Sequence, residues 1–269
     1  MFRSPALAGE FYPENRKKLE ELIDGFLTQA NPPKIKGNIF GLLLPHASYA
    51  YSGSVAAHGF KLIAGKNFDT VIIISDSHYE RFDGVSFWPK GDWETSLGKI
   101  KTDDGLAQKI ISGSKRFFRR DSAHLWEHSI EVQLPFLQKT LKNFKILPII
   151  FGSENKDWEL LARIISDNIK SPSTSLRASK KVLVIASADL SHYLPHKEAK
   201  MVDEKTLRNV LNLQVDGLDI CAIDSAKTLI EISKLLGGEA KLLEYVNSGD
   251  TMGGKSKVVG YGAIVFYYA

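Results

Sequence analysis

Short apolar runs rich in β-branched residues recur along the chain and are bounded by polar or turn residues. Runs of this length that are apolar throughout are typical of strands buried on both faces of a parallel sheet. A longer run of the same character near the C-terminus is expected to complete the sheet. The predicted strands are residues 39–44, 70–75, 144–151, 181–187 and 258–268, with weaker candidates at 242–246 and 84–87.

Between these runs, apolar positions recur with helical spacing. In the first such segment, Leu19, Ile23 and Phe26 fall on one face of a helix. Strands that alternate with helices predict an α/β layered fold, here a single domain over residues 1–269. Its central β-sheet is expected to be largely parallel or mixed and flanked by helices, with residues 171–180 as an exposed loop. The predicted helices are 13–30, 54–64, 103–112, 129–140, 155–168 and 219–236.

The composition fits a folded chain and removes several classes of protein. The 269 residues include 35 basic and 31 acidic side chains, a net charge of +4, and 43% are hydrophobic. These values exclude a disordered, collagen-like or coiled-coil chain. The single cysteine, Cys221, excludes a disulfide within the chain and a paired-cysteine zinc or redox site.

Neither a membrane nor a nucleic acid is expected to be a partner. Residues 39–60 lack Lys, Arg, Asp and Glu, but polar residues interrupt them, and a spanning helix needs about 20 mainly apolar residues. The N-terminus shows no apolar core of a signal peptide, so a cytoplasmic location is expected. The basic and aromatic run 115–120 is more typical of a surface helix than of a nucleic-acid contact, and no nucleic-acid-binding motif accompanies it.

Histidines and aspartates follow three of the predicted strands. His46 follows the first strand, Asp76 and His78 follow the second, and Asp189 and His192 follow the strand 181–187. Ligands of open α/β sheets bind beyond the carboxyl ends of the strands, and parallel strands bring these loops to one edge. One such histidine is more often a loop residue bonded to nearby backbone. Three at one edge favour a metal site or acid/base chemistry.

A second group of polar residues stands at the start of the predicted helix 129–140. Glu127, His128, Glu131 and Gln133 lie within seven residues, and Glu131 is one helical turn after His128, so the two can share a face. Helix capping and the helix dipole account for one or two of them. The presence of all four indicates that this segment joins the site.

Cys221 lies at the start of the predicted helix 219–236. A free cysteine is usually a small buried hydrophobic residue. A helix N-terminus, however, lowers the pKa of a thiol and favours the thiolate, which is a metal ligand and a nucleophile. Both interpretations stay open.

Several short motifs, taken together and in order, are more specific than any one of them alone. They include Pro45-His46-Ala47-Ser48-Tyr49, Ser77-His78-Tyr79, Glu127-His128-Ser129-Ile130-Glu131 and Ser187-Ala188-Asp189-Leu190-Ser191-His192, with further matches within 3–13 and 248–261. In this order they resemble the Memo family, called AmmeMemoRadiSam system protein B in prokaryotes. The resemblance runs from the N-terminus to the last predicted strand.

The resemblance implies a fold similar to that of class III extradiol dioxygenases, with a metal at the edge of the central sheet. Carried over by position, it implies His46, His78 and Cys221 as metal ligands. It places Asp189 and His192 beside them, with His192 in acid/base catalysis. The expected cofactor is Fe(II) or Cu, with Zn as a further option. The pocket is expected to be lined by Tyr49, Asp76, His128 and Glu131.

Three positions depart from the usual motifs of the family. Ser48 and Ala222 stand where glycine is usual, and Asp76 stands where proline is common. Glycine adopts positive φ angles without cost, so the first two replacements matter if the backbone needs that conformation. Asp76 adds an acid near the expected site.

The leading hypothesis is a metal-dependent redox or dioxygenase-like enzyme acting on an unknown small substrate, because a thiolate with two imidazoles suits soft metals. The alternative is a non-catalytic module that binds a peptide or protein in a vestigial active-site pocket, lined by aromatics such as Tyr79 and Trp126. A zinc hydrolase with Glu131 as base is a weaker option, because no HExxH spacing exists. The prokaryotic family name further implies a radical-SAM protein and an AMMECR-type protein as partners.

Overall fold

The computed structural model describes residues 2–88, 90–152, 157–170, 181–252 and 254–269. The predicted loop 171–180 and the first two residues of the predicted helix 155–168 lie outside the described residues. The strands are β1 (Phe2–Arg3), β2 (Asn38–Leu44), β3 (Thr70–Asp76), β4 (Val85–Phe87), β5 (Asp92–Thr95), β6 (Gly98–Lys101), β7 (Phe117–Arg119), β8 (Lys145–Phe151), β9 (Val182–Ser187), β10 (His192–Leu194), β11 (Glu239–Asn247) and β12 (Val258–Tyr268). The helices are α1 (Arg16–Gln29), α2 (Tyr49–Ile63), α3 (Asp104–Ile111), α4 (Ser122–Leu125), α5 (His128–Glu131), α6 (Leu134–Thr140), α7 (Asp157–Lys170), α8 (His196–Leu211), α9 (Ile223–Leu236) and α10 (Ser248–Thr251).

The main sheet is mixed, with a parallel centre. Its strand order is β10-β12-β2-β9-β3-β8-β4-β7, and β11 also pairs with β12. The four central strands β2, β9, β3 and β8 are parallel, whereas β12 and β4 run antiparallel to their inner neighbours. The pairs Leu44 with Ser187 and Ile74 with Ala186 bring the carboxyl ends of β2, β9 and β3 level with one another. The loops that follow these strands therefore share one edge of the sheet.

Helices cover both faces of the sheet, and the described residues form one α/β domain as predicted. Helices α1, α2 and α6 share one apolar core with the small sheet β1-β5-β6, and α3, α7, α8 and α9 share the core on the opposite face. The central strands are buried on both sides, because successive side chains point to opposite faces. Within the described ranges, no helix is both long and apolar enough to cross a bilayer.

The basic run 115–120 does not form the surface helix that was predicted. It forms a turn followed by the short strand β7, in which Phe117 is buried. Its arginines are paired locally: Arg116 binds Asp83 and Asp157, Arg119 binds Asp121, and Arg120 binds Glu80. Along β7 the side chains pass from buried Phe117 through half-buried Phe118 to exposed Arg119, so the strand leaves the core at the edge of the sheet.

Several predicted helices have different bounds in the structure; the helix predicted at 54–64, for example, is α2 and begins at Tyr49. The helix predicted at 129–140 is divided into α5 and α6, and Pro135 lies in the first turn of α6. Proline has no N–H to donate to the preceding turn, so it is tolerated at the start of a helix and interrupts a longer one. The helix predicted at 219–236 begins at Ile223. Cys221 therefore precedes the helix.

Candidate metal centre

Three imidazole rings meet at the carboxyl ends of strands β2 and β3. His46 and His78 each lie two residues beyond their strand, and His128 is the first residue of α5. One ring nitrogen of each lies within 4.8 Å of the other two, and the ring centroids are 4.6 to 5.1 Å apart. His46 is buried whereas His78 is exposed, so the cluster opens to solvent beside His78. The structure thus joins two of the expected ligands with a residue expected only in the pocket.

The ring of His78 is oriented by a buried carboxylate. Glu127 Oε1 accepts a hydrogen bond from Nδ1 of His78 at 3.0 Å, and Oε2 accepts from its backbone N–H at 2.9 Å. Burial by itself would raise the pKa of Glu127, but the hydrogen bond and charge of His78 outweigh it and lower that pKa to about 2. An ionised carboxylate only accepts, so Nδ1 carries a hydrogen, and Nε2 is the ring nitrogen that would bind a metal once it is unprotonated.

The ring of His46 is oriented by a chain of neutral groups. The hydroxyl Oγ of Ser187 donates to the carbonyl of Ser129 at 2.7 Å and accepts from Nε2 of Gln133 at 2.7 Å. Its hydrogen is therefore committed, so Nδ1 of His46, 3.3 Å away, is the donor in that contact. Nε2 of His46 is left with its lone pair.

Burial and mutual repulsion keep two of the three imidazoles neutral. Burial lowers the pKa of His46 to about 3, assisted by the charge of His78. Burial likewise lowers the pKa of His128 to about 3, and repulsion between the protonated forms of His128 and His46 adds to this effect. Burial also opposes protonation of His78, but the hydrogen bond and charge of Glu127 outweigh it and raise its pKa. At neutral pH, no proton competes with a metal ion for His46 or His128.

Cys221 lies beside the histidine cluster, in contact with one of its members. Its Sγ is 3.3 Å from Nε2 of His46 and accepts a hydrogen bond from the backbone N–H of Asp189 at 3.2 Å. Burial, together with the charge of Asp189, raises the pKa of the thiol well above its ordinary value. The S–H group therefore donates to His46, and a metal ion would have to displace that proton to gain sulfur as a ligand.

Asp189 and His192 both lie at this edge but make separate hydrogen bonds. Asp189 Oδ1 accepts from the backbone N–H of His46 at 2.7 Å, and burial raises the pKa of this carboxyl to about 6. Nδ1 of His192 lies 2.8 Å from the carbonyl oxygen of Leu190. A carbonyl only accepts, so Nδ1 of His192 carries a hydrogen and donates it to Leu190. Asp189 thus holds the backbone of His46, while the ring of His192 is oriented by Leu190.

Glu131 and Tyr49, both expected in the pocket, are tied to buried structural partners. Glu131 accepts from Arg3 at 2.6 Å, from the hydroxyl of Tyr12 at 2.6 Å, and from the backbone N–H groups of Ala6 and Leu7 at 2.9 and 3.0 Å. Four donors saturate a carboxylate, which argues against Glu131 as the base of a hydrolase. The buried hydroxyl of Tyr49 donates to the carbonyl of Val132 at 2.7 Å.

Comparison with known proteins gives the family. A model described as Memo-like protein matches residues 3–265. The chain belongs to the Memo family. A MEMO1 family protein of Desulfurococcus amylolyticus is 39% identical over 284 residues, covering 98% of this chain and 99% of the relative. A MEMO1 family protein of Saccharolobus solfataricus is 37% identical, covering 99% of each chain.

Two departures from the usual Memo motifs have no backbone cost in this member of the family. Ser48 has φ −60° and Ala222 has φ −109°. Both angles are negative, which any L-amino acid adopts, so neither position requires glycine.

The third departure from the Memo motifs, Asp76, is explained by a helix start. Its carboxylate accepts from the backbone N–H groups of Asp224 and Ser225 at 3.0 and 3.1 Å and from the hydroxyl of Ser225 at 2.6 Å. Ala222, at the N-cap of α9, has no side chain that can accept these hydrogen bonds. Asp76 therefore caps α9 from a neighbouring strand and anchors the segment that carries Cys221.

We expect Asp76→Ala to lower the free energy of unfolding by about 1–2 kcal/mol, because it removes the acceptor at the start of α9. Asp76→Asn should lose less, since an amide oxygen still accepts a hydrogen bond. Urea denaturation followed by circular dichroism measures both variants. Equal stability of Asp76→Ala and wild type would contradict the capping role.

The supporting residues of the Memo site were only partly visible in the sequence. The grouping of Glu127, His128, Glu131 and Gln133 signalled more than a helix cap, but it did not separate their tasks. In the structure Glu127 orients His78, His128 joins the cluster, Glu131 holds the N-terminal segment and Gln133 supports Ser187. Ser187 carried no signal of its own beyond its place at the end of a strand.

Proposed function

We propose that this Memo-family protein is a metal-dependent oxidoreductase that binds iron or copper and acts on a small substrate. The observation that supports this most is the convergence of ring nitrogens from His46, His78 and His128 within 4.8 Å. Three imidazoles that come from separate segments and converge on one region are a common protein site for a transition metal.

The chemistry of the donor groups fits such an ion. His46 and His78 have hydrogen-bond partners on Nδ1, which leaves Nε2 for the metal. The thiol of Cys221, 3.3 Å from Nε2 of His46, is close enough to serve as a further ligand once deprotonated. Thiolate with imidazole favours copper or iron over hard cations. When bound, such a metal supplies a centre that changes oxidation state.

A further histidine at this edge of the sheet suits proton transfer from a small molecule. Nδ1 of His192 faces the carbonyl oxygen of Leu190 at 2.8 Å, which leaves Nε2 as the ring nitrogen that can meet a substrate. His192 follows strand β9, whose carboxyl end lies level with those of β2 and β3, the strands that precede His46 and His78. The exposed side of the cluster at His78 gives a substrate access. We therefore assign His192 the role of taking a proton from a substrate bound beside His78.

Metal titration of protein purified without a metal-affinity tag tests this proposal. We expect about one equivalent of Fe(II), added anaerobically, or of Cu(I) to bind. His46→Ala and His78→Ala should weaken binding at least a hundredfold, because each removes one of a few strong ligand bonds. Reversible spectral changes with ascorbate and ferricyanide would show that the bound metal changes oxidation state.

His58→Asn is the matched control, because His58 lies in α2 and pairs with Glu244 outside the cluster. It should bind metal as wild type does. A wild-type protein that takes up neither metal, or a His46→Ala variant that binds normally, would overturn the proposal. Binding of zinc alone, with no redox response, would overturn the oxidoreductase assignment.

One observation favours a binding module as the second candidate. Tyr79, Trp126 and Tyr193 are 59%, 67% and 69% exposed, and each neighbours a residue of the cluster or its support in sequence. Exposed aromatic side chains are common at protein and peptide interfaces. A folded protein that binds no metal in the titration above would favour this candidate.

A further inference from the structure

A single buried carboxylate contacts two of the three clustered histidines. Glu127 is fully buried and precedes α5, so it lies between the loop of His78 and the helix that begins with His128. A helix cap uses only one acceptor atom for the first turn of its helix. The position of Glu127 at the start of α5 therefore does not account for both of its carboxylate oxygens.

The contacts of Glu127 are made to donors only. Oε1 accepts from Nδ1 of His78 at 3.0 Å, from the backbone N–H of Ser129 at 3.1 Å and from the hydroxyl of Ser129 at 2.8 Å. Oε2 accepts from the backbone N–H of His78 at 2.9 Å. Glu127 therefore accepts hydrogen bonds from both the ring and the backbone of His78, which restrains the rotation of the His78 side chain.

The second histidine faces the same oxygen. Nδ1 of His128 lies 3.3 Å from Oε1 of Glu127, and it is buried without a partner of hydrogen-bond geometry among the described residues. With Nδ1 of both rings toward the carboxylate, Nε2 of both rings is turned away from it. Glu127 thus stands behind the two imidazoles and not among the groups that would touch a metal.

We propose that Glu127 is a positioning residue that sets the tautomer of His78 and the orientation of His78 and His128. This inference rests on the proposed metal site and adds a group that governs its affinity without binding the ion. Carboxylates that accept the second N–H of a metal-binding histidine typically account for 10–100-fold in metal affinity. A residue that served only as the cap of α5 would change stability and leave the tautomer of His78 unchanged.

Glu127→Gln tests the proposal, because glutamine keeps the size but presents N–H donors where one oxygen accepts. In the metal-free variant, nitrogen NMR of the imidazoles should show His78 shifted from the Nδ1–H tautomer toward Nε2–H. Competition titration with Zn(II), which has no redox chemistry, should show about 10–100-fold weaker binding.

Asp103→Asn is the matched control. Asp103 is also buried, and accepts from the hydroxyl of Thr70 at 2.5 Å and from the backbone N–H of Leu106 at 3.2 Å, at the opposite end of the sheet. It should change neither the tautomer of His78 nor zinc affinity. Ser129→Ala removes one donor to Oε1 and is a milder variant if Glu127→Gln fails to fold. Its expected effect is a loss of up to about tenfold in affinity.

A Glu127→Gln variant with wild-type tautomer and wild-type zinc affinity would overturn the proposal. So would metal-free wild-type protein in which neutral His78 carries its hydrogen on Nε2, a measurement that needs no variant. A wild-type protein that binds no metal would instead overturn the proposed function. In that case the NMR comparison, which needs no metal, still decides whether Glu127 positions His78.

Discussion

Glu131→Gln is expected to lower the free energy of unfolding by roughly 3–5 kcal/mol, because it leaves a buried cation without its counter-ion. The side chains of Arg3 and Glu131 are 1% and 0% exposed, and Nη1 lies 2.6 Å from Oε2. The carbonyl oxygens of His124 and Glu127 also accept from Arg3, at 2.6 and 3.0 Å, but neither carries a charge. Urea denaturation monitored by tryptophan fluorescence measures the loss.

An exposed pair provides the control for this prediction. Glu20 pairs with Arg16 on the surface of α1, where the side chains are 36% and 68% exposed, so Glu20→Gln should cost under about 1 kcal/mol. Adding Arg3→Met to Glu131→Gln should restore part of the stability, since the unpaired charge is then gone. A loss below 1 kcal/mol for Glu131→Gln would show that Arg3 does not depend on this partner.

Acidification is expected to destabilise the metal-free protein by several kcal/mol between about pH 6.5 and pH 3. Burial lowers the pKa of His46, His124 and His128 from 6.5 to about 3. Below pH 6.5 the unfolded chain binds protons at these positions and the folded protein does not. Protonation therefore favours unfolding, and this part of the stability is lost as the pH falls.

Other groups act in the opposite direction over part of this window. Burial raises the pKa of Asp76 and Asp189 from 3.8 to about 6, so the folded state takes up these protons first and gains stability below pH 6. His78, whose pKa is raised, also favours the folded state at low pH. The three histidines are displaced further than the two aspartates, so the net effect is destabilisation.

The pH dependence can be dissected at a histidine outside the cluster. His124 is buried against Trp88 and Trp93. Its Nε2 lies 3.0 Å from the hydroxyl oxygen of Ser86, and the hydrogen of that hydroxyl is donated to the carbonyl of Arg120. His124→Phe should therefore reduce proton uptake on unfolding near pH 5 by about one proton. Urea denaturation over a pH series measures the free energy of unfolding at each pH, and the slope of this free energy against pH gives the proton uptake. An unchanged slope would contradict the assignment of a neutral buried His124.

The strands of the central sheet could be predicted because they are buried on both faces. Residues 258–268 were predicted as a strand and form β12, and the strand predicted at 70–75 is one residue shorter than β3. Helix α8 was not predicted, because its exposed face is strongly polar and its buried residues Ala199, Leu207 and Val210 are widely spaced. The edge strand β7 was missed for a related reason, since only Phe117 of its three residues is buried.

Only those residues of the candidate site that directly follow a strand could be placed from the sequence. His46 and His78 follow parallel strands, and that placement alone brings their loops to one edge. His128 and Cys221 reach the same place from a short helix and an irregular segment. No rule of strand order predicts their distance from the cluster.

The sequence by itself determined the layered α/β fold, the family and the sheet edge that carries the chemistry, because apolar runs and strand-end residues are local properties. Tertiary structure alone decided which acids serve the site. Glu127 and Glu131 are four residues apart on one segment, yet one accepts from His78 and the other from Arg3. The physical reason is that the role of a buried carboxylate depends on which donors surround it, and these donors come from distant parts of the chain.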